Sequence, residues 1–336
     1  MVPTRELAFQ ITEVFERLGR HTRVKTVSIV GGVEQEPQIA RLQKGVDILV
    51  ATPGRMFDLV SQGHLLLERV EILILDEADH MLDLGFLRDI QDLMHKIPRY
   101  RQTLFFSATI NETIKKLAYS LVRRAIRIQI SPKDPVAKNI NHAVAYVEMD
   151  DKRFFLERVI VENPESKILV FVRTKIRAER VHKALERMNL HSLTIHGDKQ
   201  QQDRLAVMQQ FRSGETKVLI ATDVSARGID IPDVDFVVNY DLPEQPENYV
   251  HRVGRTGRGT KKGQAVSFCS TEEKPILAEI EQFLDKPITV MDISKEEYTE
   301  TLDFTSDSSS DWKSLMREQE ALEKDPKFKK KNKKKK

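Results

Sequence analysis

Residues 72–81 read ILILDEADHM. An apolar run ends abruptly in Asp76, Glu77 and, one residue later, Asp79. Carboxylates at the tip of an apolar strand suit a Mg2+–nucleotide site. One acid holds the metal, usually through water, and its neighbour orients or deprotonates the attacking water. The plain alternative is a set of solvated acids at a strand end, and for a lone Asp-Glu pair it is the better reading. A DEAD tetrapeptide arises by chance in a chain this long about once in two hundred. A second cluster is HRVGRTGR at 251–258, where Arg252, Arg255 and Arg258 alternate with Gly254 and Gly257. Planar guanidinium groups suit phosphate oxygens and can stabilise charge in phosphoryl transfer. Taken alone, the segment also reads as a basic surface turn.

The elements that must carry these groups alternate along the chain. The first half predicts strands at 26–32, 47–53, 71–79, 102–109 and 126–130. The second predicts them at 167–172, 192–198, 217–224, 236–241 and 264–270. Helical spacing fills the gaps: Leu7, Ile11, Val14, Phe15 and Leu18 share one side, as do Ile176, Val181, Leu185 and Met188. Near-continuous apolar strands separated by helices imply parallel sheets covered on both faces. The fold class is α/β, with a first lobe over 1–130, a linker at 131–139, a second lobe over 140–290 and an extension from 291 to 336. Ligands of such sheets bind beyond the carboxyl ends of the strands. There the first lobe offers Gly31-Gly32, TPGR (52–55), DEAD (76–79) and SAT (107–109). The second offers HGD (196–198), TDVSARGID (222–230) and HRVGRTGR.

Composition narrows the partners. The chain has 336 residues, 40% of them apolar, and a net charge of +3. Residues 324–336 carry nine Lys and one Asp, and the remainder holds 45 basic and 50 acidic residues, a net charge of −5. The tail reads as disordered and attracts polyanions. It is expected to add RNA or ribosome contacts, against the plainer reading of a solubilising end. No apolar run reaches the roughly 18 residues that would span a membrane. The single cysteine, Cys269, permits no internal disulfide, and a cytoplasmic protein is expected.

In this order the motifs resemble those of the DEAD-box RNA helicases of superfamily 2. The resemblance runs from Pro3 to about residue 290 and includes PTRELA (3–8), DLGF (83–86), VFVRTK (170–175) and QQDR (201–204). It implies two RecA-like lobes that close on ATP and single-stranded RNA. Asp76 would hold Mg2+ and Glu77 would position the hydrolytic water. Asp79, Ser107, Thr109, His251 and Arg252 would couple the nucleotide site to strand separation. Gly228 and Asp230 would contact the nucleotide, Asp230 at its ribose. Arg255 and Arg258 would reach the γ-phosphate from the second lobe. Thr4, Arg5, Gly32, Thr52 and Arg55 would touch RNA from the first lobe, and Thr174, Gln201, Arg204 and Thr222 from the second. Such residues suit the sugar–phosphate backbone, so recognition is expected to be largely independent of sequence.

One piece of the family pattern is not present. No Gly-Lys-Ser or Gly-Lys-Thr occurs in the 336 residues, and PTRELA begins two residues after Met1. The phosphate loop and the adenine-reading segment that would precede it are therefore not encoded here. The first lobe is expected to be incomplete, with an exposed apolar edge where a strand is lost. A fragment, inactive alone, is the expectation. A short protein acting as an RNA-binding module or helicase partner is the alternative.

Overall fold

The computed structural model describes residues 1–109, 112–129, 136–223, 234–257 and 261–306. The Lys-rich tail and most of the expected linker lie outside these.

In the first lobe α1 (Arg5–Leu18) leads to β1 (Thr26–Ile29), α2 (Glu36–Gln43), β2 (Ile48–Ala51) and α3 (Pro53–Ser61). Then come β3 (Ile72–Leu75), α4 (Ala78–Asp83), α5 (Leu87–Lys96), β4 (Gln102–Phe105) and α6 (Glu112–Leu121). Strand β1 pairs in parallel with β2, and β3 with β4. Residues 1 and 2 join the two pairs. The Val2 N–H donates to the Ala51 carbonyl (3.0 Å), and the Asp76 N–H donates to the Met1 carbonyl (3.2 Å). The core gathers Ile29, Leu59, Leu75, Met81 and Ile90, all fully buried.

The second lobe holds β5 (Ile140–Tyr146), α7 (Lys152–Glu162), β6 (Ile168–Phe171), α8 (Lys175–Arg187), β7 (Leu193–Ile195), α9 (Gln201–Ser213) and β8 (Val218–Ala221). It continues with β9 (Phe236–Asn239), α10 (Pro246–Val253), β10 (Gly263–Cys269), α11 (Lys274–Leu284), β11 (Thr289–Val290) and α12 (Lys295–Ser306). Among the described residues its sheet has seven parallel strands in the order β11-β5-β10-β9-β6-β8-β7. Strands β6 and β8 are buried along their whole length, as their unbroken ILVF and VLIA runs require. No helix among the described residues is long and apolar enough to cross a membrane.

Three sequence expectations change. The strand at 126–130 does not form over its described residues, and Ile126 and Ile128 are 88% and 79% exposed. A short β-prone run without a neighbour has no partners for its N–H and C=O groups and stays irregular. Phe106 and Ile72 on the same lobe are also exposed. Second, the strand expected over 71–79 stops at Leu75, and Ala78 already opens α4. Third, α1 buries only part of its expected stripe: Leu7, Ile11 and Phe15 pack against the core, while Val14 and Leu18 are exposed and Glu6, Ala8 and Thr12 are its buried residues. The sequence also concealed β5, β11 and α12. Helix α12 packs on α7, with the Tyr298 hydroxyl donating to Asp151 (2.7 Å) and Arg158 donating to Thr301 (2.7 Å).

Candidate functional site

Strand β3 delivers its acids through one strained residue. Glu77 has φ 51° and ψ 49°, the left-handed region, and it turns the chain from strand to helix. A non-glycine residue held there costs about 1–3 kcal/mol, and such strain concentrates at functional sites. The Glu77 N–H donates to Asp76 Oδ1 (3.0 Å), and Glu77 Oε2 lies 3.3 Å from His80 Nδ1. Burial pushes the Asp76 carboxyl above its usual pKa; the Glu77 N–H opposes this, and the charges of Glu77 and Asp79 add to it.

Asp79 points elsewhere. It is 5% exposed, and its Oδ2 accepts the N–H (2.8 Å) and hydroxyl (2.9 Å) of Thr109. Ser107 donates to the Thr109 carbonyl (2.7 Å), which fixes the turn after β4. His251 Nε2, from α10 of the second lobe, lies 3.8 Å from the same Asp79 oxygen. Burial alone would raise the Asp79 carboxyl. The Thr109 N–H, His251 and the Thr109 hydroxyl outweigh it, so the pKa falls below the ordinary range.

Arg252, next on α10, is 2% exposed. It holds Asp223 with two bonds (2.6 and 2.7 Å), donates to the Asp241 carbonyl (2.7 Å) and to Asn239 Oδ1 (3.3 Å), and stacks 5.0 Å from the Phe171 ring centre. Arg255 is also buried and donates to the His251 carbonyl (3.3 Å). Arg258, Gly228 and Asp230 lie outside the described residues.

The residues expected to touch RNA sit mostly at helix starts. Thr4, Thr52 and Thr174 are the N-caps of α1, α3 and α8. Thr4 accepts the Leu7 N–H and Thr174 accepts the Arg177 N–H, whereas the Thr52 side chain makes no cap bond. Helix starts present unpaired N–H groups and the positive end of the dipole, which suits phosphates. Arg5 lies across Gly31-Gly32: Gly32 has φ +72°, which favours glycine, and a Cβ there would stand 2.1 Å from Arg5 Nη1 and push the guanidinium aside. Arg55 spends both terminal nitrogens on the Val33 carbonyl (3.2 Å each) and braces that loop. Thr222 is buried beyond β8.

Gln201 and Arg204 do something that the sequence did not announce. Both reach across to Glu6 of α1, at 2.9 Å and 3.0 Å, and Glu6 is 4% exposed. Glu6 stands inside PTRELA, but no local pattern assigns it a partner 195 residues away. Gln201 Oε1 and Arg204 Nε are buried and have no hydrogen-bond partner among the described residues. Gln201 also lines a cavity of about 760 Å3 whose walls include Arg5, Gly32, Arg41 and Lys199. A cationic cleft with an unsatisfied buried acceptor suits a polar, anionic ligand.

Among the described residues no group of three or more His, Cys, Asp or Glu side chains is arranged to hold a metal ion. The Asp76 carboxylate, just beyond β3 and beside Glu77, fits Mg2+, which takes one or two carboxylates and keeps water and phosphate oxygens for the rest of its shell. Asp76 is the residue that would hold it.

An acid beyond a strand of one parallel-sheet lobe lies 3.8 Å from a histidine on a helix of the other, so this is a two-lobed α/β protein whose lobes meet beyond the strand ends. The comparisons agree. Residues 1–117 match the model of the DEAD/DEAH box helicase family, and residues 151–260 match that of the helicase conserved C-terminal domain. The chain belongs to the DEAD-box helicase family. It is 42% identical to the ATP-dependent RNA helicase RhlB of Shewanella frigidimarina (strain NCIMB 400), over 88% of this chain and 69% of that one. With the ATP-dependent RNA helicase DbpA of Bacillus subtilis (strain 168) it shares 39% identity, over 88% of this chain and 62% of the relative. S. cerevisiae Dbp5 bound to RNA and ADP BeF3 superposes with a TM-score of 0.79 at 31% identity, covering 90% of this chain and 80% of that one. A Dbp5 variant bound to Nup159, Gle1, IP6 and ADP reaches only 0.57, at 29% identity and with 91% and 80% covered. The chain thus spans about two thirds of the length of these curated relatives.

Proposed function

We propose that the protein acts as an ATP-dependent RNA helicase: it grips single-stranded RNA between its lobes and locally opens short duplexes as it hydrolyses ATP. The observation that carries this reading is the pairing across the cleft. Glu6 meets Gln201 and Arg204 on one side, and Asp79 approaches His251 on the other. The better superposition on the RNA and ADP BeF3 complex of Dbp5 than on its ADP complex supports a closed arrangement.

The chain's own residues divide the work. Asp76 would hold Mg2+, which when bound shields the phosphate charge. Glu77 orients the attacking water and accepts its proton, with His80 Nδ1 beside its Oε2. Arg255 and Arg258 bring positive charge to the departing phosphate from the second lobe. Closure excludes water from the cleft. On the RNA side, the helix starts at Thr4, Thr52 and Thr174 bind phosphates, with Arg5 in support, which makes binding largely sequence-independent. A strand bent to this cleft cannot stay in a regular duplex. A cytoplasmic setting is part of the reading.

ATP hydrolysis with RNA, with DNA and with neither tests it. Since no Gly-Lys-Ser/Thr loop occurs in the 336 residues, the chain alone is expected to hydrolyse little ATP. A form carrying that loop ahead of residue 1 should show hydrolysis that RNA stimulates and DNA does not. There, Glu77→Gln is expected to lower turnover at least about a hundredfold while ATP-dependent RNA binding persists. Normal turnover in Glu77→Gln would remove Glu77 from the mechanism. RNA binding without RNA-stimulated hydrolysis in the loop-bearing form would favour the RNA-binding module.

The tail contributes through charge. Truncation after residue 323 removes nine lysines and should weaken binding similarly for all RNA sequences. The slope of log K against log salt should flatten by about 0.7 for each phosphate that the tail no longer neutralises. An unchanged slope would leave the tail a solubilising end.

A further inference from the structure

Behind the RNA-facing start of α8 lies a set of buried charges that the chemistry above does not use. Lys152, at the start of α7, and Asp241, just beyond β9, are completely buried, and Glu273 is 2% exposed. Lys152 Nζ pairs with Glu273, donates to the Tyr240 carbonyl (2.8 Å) and lies 3.9 Å from Asp241. Burial lowers the Lys152 pKa, while Glu273 and Asp241 act to restore it. Glu273 also accepts the Arg173 guanidinium (3.2 Å), the Leu242 N–H (3.3 Å) and the Ser270 N–H (3.1 Å).

Apolar side chains of similar volume often stabilise a core as well as a buried ion pair does, so stability alone does not explain this cluster. Its contacts offer a better explanation. Asp241 Oδ2 accepts the backbone N–H of Arg173 (2.9 Å), the residue directly before Thr174. Asp241 Oδ1 takes the Arg177 guanidinium from the first turn of α8. On its other side, the Asp241 carbonyl accepts Arg252 Nη1 (2.7 Å), and Arg252 grips Asp223, the neighbour of Thr222. Arg252 stands between His251 and Arg255 in sequence, and His251 faces Asp79 of the first lobe. One buried residue therefore touches both the loop that presents Thr174 to RNA and the helix that faces the nucleotide side.

We propose that Asp241, held in place by Lys152 and Glu273, is a positioning residue that locks the Thr174 loop and the Arg252 helix into one body, so that RNA contact and nucleotide-side contact in the second lobe move together. The proposal rests on the RNA-helicase reading. Asp241 holds the backbone N–H of Arg173 and the side chains of Arg177 and Arg252, and every carboxylate oxygen of Asp241 and Glu273 is hydrogen-bonded, so the buried carboxylates stiffen the contacts around them.

A double-mutant cycle tests it on the 336-residue chain. The readout is fluorescence anisotropy of a labelled single-stranded oligoribonucleotide, with circular dichroism melting alongside. Thr174→Ala and Asp241→Asn should each weaken binding about fivefold, and the double variant should be no weaker than Asp241→Asn alone. Effects that multiply in the double variant would reduce Asp241 to a structural role and overturn the proposal. So would an unchanged affinity in Asp241→Asn. If Asp241→Asn does not fold, Arg177→Met replaces it in the same cycle. It leaves the Lys152–Glu273 pair intact and removes the partly exposed partner of Asp241, and the same two outcomes decide. Where only the loop-bearing form with ATP binds RNA, the same cycle is run on it; no RNA binding by either form would sink the helicase reading and this proposal together, whereas a multiplicative cycle would sink this proposal alone.

Discussion

Arg252→Ala should lower the melting temperature of the second lobe by roughly 10 °C. The guanidinium makes four hydrogen bonds to Asp223, Asn239 and the Asp241 carbonyl, and it stacks on Phe171. Removing one partner of a buried ion pair costs about 3–5 kcal/mol because the other charge is left behind. Asp223 is 24% exposed and recovers some water, but Asn239 and Asp241, both fully buried, cannot. At about 2–4 °C per kcal/mol for a domain of this size, the shift is large. Arg252→Lys keeps the charge but not the fork that grips both Asp223 oxygens, so its loss should be intermediate. Differential scanning calorimetry checks both. A shift under about 3 °C for Arg252→Ala would mean that the second lobe does not depend on this clamp.

The second large effect is expected at Glu6. In the closed arrangement Glu6 is nearly fully buried against Gln201 and Arg204 of the other lobe. Glu6→Ala leaves the Arg204 cation buried without its counter-charge. Once the lobes separate, that cation is hydrated and the penalty disappears. The cost of about 3–5 kcal/mol therefore falls on the closed state alone and moves the closed–open equilibrium by more than about a hundredfold. Energy transfer between dyes on the two lobes should fall towards the open value, even with RNA present. Replacing both residues, Glu6→Met with Arg204→Met, removes both charges and should restore part of the closed population. An unchanged transfer in Glu6→Ala would show that closure does not need this contact.

These two sites mark what could be read from sequence and what could not. The order of strands and helices, the two lobes and the polar groups at the strand ends were legible because they are local. An apolar run of four or five residues followed by a polar cluster needs no distant partner to be seen, and ILIL before DEAD and ILVF before VRTK both became buried or half-buried parallel strands. The failures were equally local. IRIQI carries the same signal as its neighbours, yet a strand forms only when another strand pairs with it, and none of the described residues does. In α1 the apolar stripe was read correctly as helical, but the buried face follows what packs on the helix, and that buried Glu6 and Thr12 beside Leu7, Ile11 and Phe15 and left Val14 and Leu18 exposed.

By itself the sequence determined the class of fold and the family, and it singled out the acids and arginines proposed for the reaction, because each is written in residue type and short-range spacing. Only the tertiary structure decided which of those charges meet. Asp79 meets Thr109 and His251, Gln201 and Arg204 meet Glu6, and Arg252 meets Asp223. The physical reason is that a charge acquires its role from burial and from its partner. Both are set by the docking of elements far apart in the chain, where no periodicity reaches.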